Sequence, residues 1–90
     1  MMIEYDPAKD AINQCKHGIS LADVVSIEWG TVQIEEDTRF DYGEQRFIAT
    51  GYIGLRLYRT AFCIRDEKIR VISLRKANKR EERRYAQAQA

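Results

Sequence analysis

Hydrophobic positions along the 90-residue chain change their period near residue 31. Before that point the apolar residues recur at helical spacing, and after it they fall in β-branched and aromatic runs. Residues 3–5 predict a short first strand. Asp6-Pro7 then opens a helix, because the Asp carboxylate can accept from orphan N–H groups and Pro is tolerated in the first turn. Ile12 and Cys15, with Ala8 and Ala11, predict its apolar face. Gly18 is a natural stop, with Lys16 and His17 in the last turn where the helix dipole favours cations. Ser20 begins a second predicted helix, with Asp23 completing a capping-box pair. Leu21, Val24, Val25 and Trp29 repeat at helical spacing, and Gly30 ends the segment.

Residues 31–34, 46–52, 55–65 and 69–75 read as strands, separated by the turn signals Asp41-Tyr42-Gly43, Ile53-Gly54 and Asp66-Glu67-Lys68. Such short connections favour an antiparallel meander. Asn78 starts a last helix, with Glu81 in the capping-box position and Tyr85 placed to dock it. The expected fold is α+β, in the order β-α-α-β-β-β-β-α. An antiparallel, twisted sheet of four to five strands would carry two N-terminal helices on one face, with a C-terminal helix beyond it. Strand alternation sets Ile69, Val71 and Ser73 against Arg70, Ile72 and Leu74. Period two places Arg75 with Ile69, but a twist or bulge at the strand end would change its face.

Composition adds limits. Apolar content is 44% and charged content 32%, mixed in sign, as in a folded domain. With no repeat and no linker, residues 1–90 are expected to form a single domain. No run of apolar residues is long enough to cross a membrane. The N-terminus lacks a basic region followed by an apolar stretch, so a cytoplasmic protein is expected. Cys15 and Cys63 match no metal or redox spacing and are expected as reduced thiols, a disulfide between them being the alternative. With His17 as the single histidine, neither a His-rich metal site nor a two-histidine acid–base pair can be built. A carboxylate-only magnesium site stays open as an alternative, but no Asp-x-Asp cluster suggests one, and no metal or cofactor is expected.

The net charge of +1 conceals an asymmetry. Residues 1–45 carry three Lys/Arg against ten Asp/Glu, a net −7, whereas residues 46–90 carry twelve against four, a net +8. A basic half suits a polyanion, since phosphate contacts release condensed counterions. Equally, the two halves can neutralise each other across the fold.

Several residues can carry chemistry, each with a structural reading beside the functional one. A histidine such as His17 changes charge near neutral pH and can serve as acid or base, and Lys16 can bind phosphate; both can instead simply complement a helix end. Glu44 and Arg46 share a strand face, either as a surface ion pair or as a base beside a phosphate-binding cation. Arg70 and Arg75 stand at the two ends of one strand, and Arg75 leads into a capped basic helix. A guanidinium there can grip a phosphate with two parallel hydrogen bonds. Lys79, Arg80, Arg83 and Arg84 follow on that helix, either as a solvated face or as contacts to an anionic strand.

Taken in order, Tyr5-Asp6 with Lys9 and Asn13, Lys16-His17-Gly18, Asp41, Glu44-x-Arg46, Gly51, residues 69–73 with Arg75 and Ala77, and Glu81-x-Arg83-x-Tyr85 resemble the BrnT family of toxins. Leu74 stands where a small residue is expected, and residues 52–65 are unusually rich in arginine. The resemblance implies a RelE-like fold and a metal-independent endoribonuclease acting on RNA. It also implies a BrnA-like antitoxin of the ribbon-helix-helix type in a 2:2 complex that represses its own operon, with DNA contacted only through the antitoxin. On that reading Arg75 stabilises charge on the phosphoryl group, supported by Arg46 and Arg70. His17 or Lys16 moves protons, with Glu44 as an alternative base, and Arg80, Arg84, Lys79 and Arg83 position the strand. The rival reading is a small non-enzymatic module that binds nucleic acid or an acidic protein.

Overall fold

Asp6 and Pro7 start the first helix as their chemistry requires. Asp6 Oδ1 accepts from the Ala8 N–H at 2.8 Å, and Pro7 occupies the first helical position. The helix, α1, spans Pro7–His17 and ends on Gly18, whose φ of 69° is left-handed. The computed structural model describes residues 1–89. Around α1 it places strands β1 (Ile3–Glu4), β2 (Gln33–Glu36), β3 (Phe47–Ile53), β4 (Arg56–Arg65) and β5 (Lys68–Lys76), and a C-terminal helix, α2 (Lys79–Gln89).

Where a second α-helix is expected, the chain forms two 3-10 turns, Leu21–Ser26 and Trp29–Thr31. Adjacent β-branched residues at Val24 and Val25 disfavour a longer α-helix. Ser20 caps the first turn by accepting from the Ala22 N–H. The partner expected of Asp23 is supplied instead by Asp10, which accepts from Ser20 Oγ at 3.1 Å and from the Leu21 N–H at 2.7 Å. That bond ties α1 to the 3-10 turn and holds the Asp10 carboxyl below its usual range.

The five strands lie in the order β1-β5-β4-β3-β2. β2 to β5 form the expected antiparallel meander, but β1 pairs parallel to β5, with Ile3 beside Ile69, so the sheet is mixed. β1 ends at Glu4, leaving the outer edge of β5 uncovered beyond Arg70. Asn13 of α1 takes over there: its side chain donates to Leu74 O at 2.8 Å and accepts from the Leu74 N–H at 3.1 Å. It also donates to Ile19 O at 2.9 Å. Buried backbone groups need such partners. The buried residue of α1 is therefore Asn13, whereas Ile12 and Cys15, expected to form its apolar face, are exposed.

A bulge in β5 corrects the expected alternation. Phe62 pairs with Val71 but Ala61 pairs with Ser73, which leaves Ile72 as an extra residue. Val71 and Leu74 consequently share the core face, where they pack with Leu21, Val24 and Ile27. Each such fully buried side chain stabilises the fold by about 1.5–3 kcal/mol. The same bulge swings Ser73 and Arg75 onto the opposite face. There Leu57, Ala77 and Tyr85 form a second cluster that seats α2 across one end of the sheet. Tyr85 Oη donates to Thr31 O at 2.8 Å, completing the dock.

Candidate active site

The part of that second face left open by α2 holds an arginine cluster. Arg75 and Arg59 are direct cross-strand partners. Two like charges side by side repel, and Glu81, from the first turn of α2, resolves the conflict. Its two oxygens accept from Arg75 Nη1 and Nη2 at 2.8 Å each, and Oε2 lies 3.0 Å from Arg59 Nε. Glu81 also forms the expected capping box: its N–H donates to Asn78 Oδ1 at 2.8 Å while Oε1 accepts from the Asn78 N–H at 2.9 Å. These bonds, Arg75 foremost, lower the Glu81 pKa to about 2. The Glu81 contact raises the Arg75 pKa in turn.

Arg39, Arg59, Arg75 and Glu81, with Ser73 and Ile48, line a cavity of about 200 Å³. Arg39 arrives from the loop between β2 and β3. Buried Asp37 anchors it there, accepting from Arg39 Nε and Nη2 at 2.9 Å each. That pairing holds the Asp37 carboxyl well below the ordinary carboxylate range. Arg59 and Glu81 also line a larger groove of about 590 Å³ between β2 and α2, which includes Arg84.

The expected site residues divide. Arg75 stands at the centre of the cluster. Arg46 lies over the Tyr42 ring at 4.0 Å, with Nε 3.9 Å from Glu44 Oε1 and buried without a hydrogen-bond partner. Glu44 accepts from Arg65 at 3.2 Å, which holds its carboxyl low and keeps it ionised. Arg70 pairs with Glu4 of β1 at 3.7 Å. Arg46 and Arg70 thus share the sheet face of Arg75 without lining its cavity. Lys16 and His17 line a separate cleft of about 190 Å³ between α1 and β5, with Ile72 and Ser73. Ser73 is common to both depressions.

Charge neutralisation across the fold is extensive. Glu4, Glu35 and Glu44 of the acidic half pair with Arg70, with Arg59 and Arg84, and with Arg65 and Arg46. Among the described residues, Lys79, Arg80 and Arg83 form no ion pair. They face solvent at the start and middle of α2. Among the described residues no three His, Cys, Asp or Glu side chains gather as a metal site, and no helix is long and apolar enough to cross a membrane. Cys15 and Cys63 are free thiols. Burial and the Glu44 carboxylate raise the Cys63 pKa.

Sequence reasoning missed Arg39 and Arg59. The only trace of Arg59 was the arginine richness of residues 52–65, and its meaning depends on the β4–β5 register. Arg39 gave no trace, because its position depends on the anchor at Asp37.

The family model for the ribonuclease toxin, BrnT, of type II toxin–antitoxin systems matches residues 5–81, most of the chain. No curated protein matches.

Proposed function

The chain belongs to the BrnT ribonuclease toxin family of type II toxin–antitoxin systems, and we propose that its nuclease centre is the Arg75 cavity. The observation that carries this is the convergence of Arg39, Arg59 and Arg75 on one small open concavity, with Arg75 held in a fixed orientation by Glu81. A preorganised guanidinium stabilises charge that develops on phosphoryl oxygens without reorganising during reaction.

The reaction is an attack of the ribose 2′-OH on the adjacent phosphorus. The 2′-OH gives up its proton, the P–O2′ bond forms, the P–O5′ bond breaks and the leaving 5′-oxygen takes a proton. The products are a 2′,3′-cyclic phosphate and a 5′-hydroxyl. Arg75 receives the phosphoryl oxygens through the guanidinium N–H groups that Glu81 leaves free, while Glu81 keeps its orientation fixed. His17 and Lys16, in the cleft joined at Ser73, are the proton-moving candidates. Glu44, kept ionised by Arg65, can accept a proton but is a weak base. Arg46 and Arg70 support the same face electrostatically. Arg84, in the adjoining groove, and the solvent-facing Lys79, Arg80 and Arg83 carry the strand by phosphate contacts. The scheme needs no metal.

In this reading the five-stranded sheet flanked by α1 and α2 is a RelE-like scaffold. The toxin works in the cytoplasm and is neutralised by a ribbon-helix-helix antitoxin in a 2:2 complex, which alone touches DNA. Arg75→Ala in a growth-arrest assay tests the assignment: toxicity should be lost at equal expression, and full toxicity would reject it.

A further inference from the structure

We propose that the cleft between α1 and β5 is a second phosphate subsite, where Lys9 and Lys16 hold a phosphate of the RNA strand that flanks the one in the Arg75 cavity; the inference rests on that cavity being the nuclease centre. Lys9, Ile12, Asn13 and Lys16 recur at i, i+3, i+4 and i+7, so they share one face of α1. Asn13 binds this face to β5 through its bonds to Leu74. The cleft is therefore walled by two fixed elements, with the bulged Ile72 and Ser73 as its β5 side.

Charge in this cleft has one sign. Glu81 stands in the wall of both the Arg75 cavity and the groove beside it, whereas Lys9, Lys16 and His17 line the cleft with no carboxylate among them. The two acids flanking Lys9 are engaged elsewhere: Asp6 accepts from the Ala8 N–H, and Asp10 accepts from Ser20 Oγ and the Leu21 N–H. Among the described residues neither lysine forms an ion pair, and both are exposed. A place at the helix end accounts for Lys16 and His17 but not for Lys9. Lys9 lies in the first turn, where the positive end of the helix dipole disfavours a cation. An anion in the cleft offsets that cost. Seven residues, about 10 Å of helical rise, separate the two lysines, and their flexible stems can converge on a phosphate between them. Continuity selects RNA over an acidic peptide. Ser73 lines both this cleft and the Arg75 cavity, so the two depressions meet at one residue of β5. A strand gripped at Arg75 carries a phosphate at every nucleotide and presents another on that side. Lysines there act as point charges that position the backbone without reading the base. Lys16 then serves as a cation, and His17 beside it remains the proton-moving candidate.

The test uses the whole protein and a fluorescein-labelled 2′-O-methyl RNA that cannot be cleaved, with affinity read by fluorescence anisotropy over a range of salt concentrations. Lys9→Ala should weaken binding roughly fivefold at low salt and reduce the slope of log affinity against log salt by about 0.7, the share of one phosphate on a single strand. Lys9→Arg should keep the wild-type affinity and slope. Lys68→Ala removes a cation at the opposite end of β5 from Arg75 and should change neither. Arg75→Ala should weaken binding as well. Binding that responds to Arg75→Ala but keeps its wild-type salt slope in Lys9→Ala, or a Lys68→Ala loss equal to that of Lys9→Ala, would overturn the subsite alone. Intact RNA affinity in Lys9→Ala with a loosened antitoxin complex would overturn it in favour of a protein contact. No RNA binding by the wild type, or binding indifferent to Arg75→Ala, would overturn the Arg75 assignment and the subsite with it.

Discussion

Arg75 donates to both oxygens of Glu81, and the same carboxylate caps the helix that follows, so the geometry of the site and the start of α2 are one structure. Glu81 therefore couples stability to acid. Its folded pKa of about 2 lies below the ordinary 4.5. A depressed carboxylate contributes stability that is present above about pH 4.5 and is lost as the pH falls from there through about 2. Glu81→Gln keeps the size of the side chain but removes the charge. Melting temperatures measured from pH 2 to 7 should show the variant less stable than wild type near neutrality, by on the order of 1 kcal/mol after solvent screening. The two should converge at the acid end, and a constant gap across the range would contradict the coupling.

Arg75→Lys separates charge from geometry. A lysine keeps the cation but cannot offer two parallel donors to a phosphate or to Glu81. Cleavage of an RNA oligonucleotide should slow roughly tenfold or more for Arg75→Lys, and by roughly 10²–10³ in kcat for Arg75→Ala. Equal rates for Arg75→Lys and wild type would show that the bidentate geometry is unimportant.

Asn13 closes the β5 edge that β1 leaves open. Asn13→Ala strands the Leu74 N–H and C=O and the Ile19 C=O, and should cost roughly 2–3 kcal/mol in urea unfolding. Amide exchange at Leu74 should accelerate more than at Val71. An unchanged unfolding midpoint would refute the edge-closing role.

Gly51 sits where β3 passes under the 3-10 segment. A Cβ there would lie 2.6 Å from Val32 Cγ1 and 2.9 Å from Ile27 Cγ2. Gly51→Ala should destabilise by about 1–3 kcal/mol through overpacking, seen as a lower melting temperature with the Arg75 site unaltered.

Some element ends are legible in the sequence because contacts within a few residues decide them, although the Ser20–Asp23 signal gave way to a 3-10 turn tied to Asp10. The Asp6-Pro7 start, the Gly18 stop and the Asn78–Glu81 capping box each rest on contacts within a few residues. The β3–β4–β5 meander follows from its two short turns, whereas β2 joins β3 through the longer loop 37–46. Long-range choices were not legible: Ile3 pairs with Ile69, and Asn13 with Leu74. The bulge at Ile72 is the instructive case. Leu74, which stood out against the resemblance, is fully buried in the core because the bulge turns it inward, and the same displacement turns Arg75 towards Arg59. Arg75 was identifiable as a candidate from its place before a basic helix, but its companions depended on register and on a loop anchored by a buried acid.

The most direct test is to incubate purified toxin with an RNA oligonucleotide in EDTA and map the ends of the fragments. Wild type should leave 2′,3′-cyclic phosphate and 5′-hydroxyl ends, fail at a nucleotide carrying a 2′-deoxy substitution, and lose activity in Arg75→Ala. Undiminished cleavage by Arg75→Ala, or fragments ending in 3′-hydroxyl and 5′-phosphate, would contradict the account.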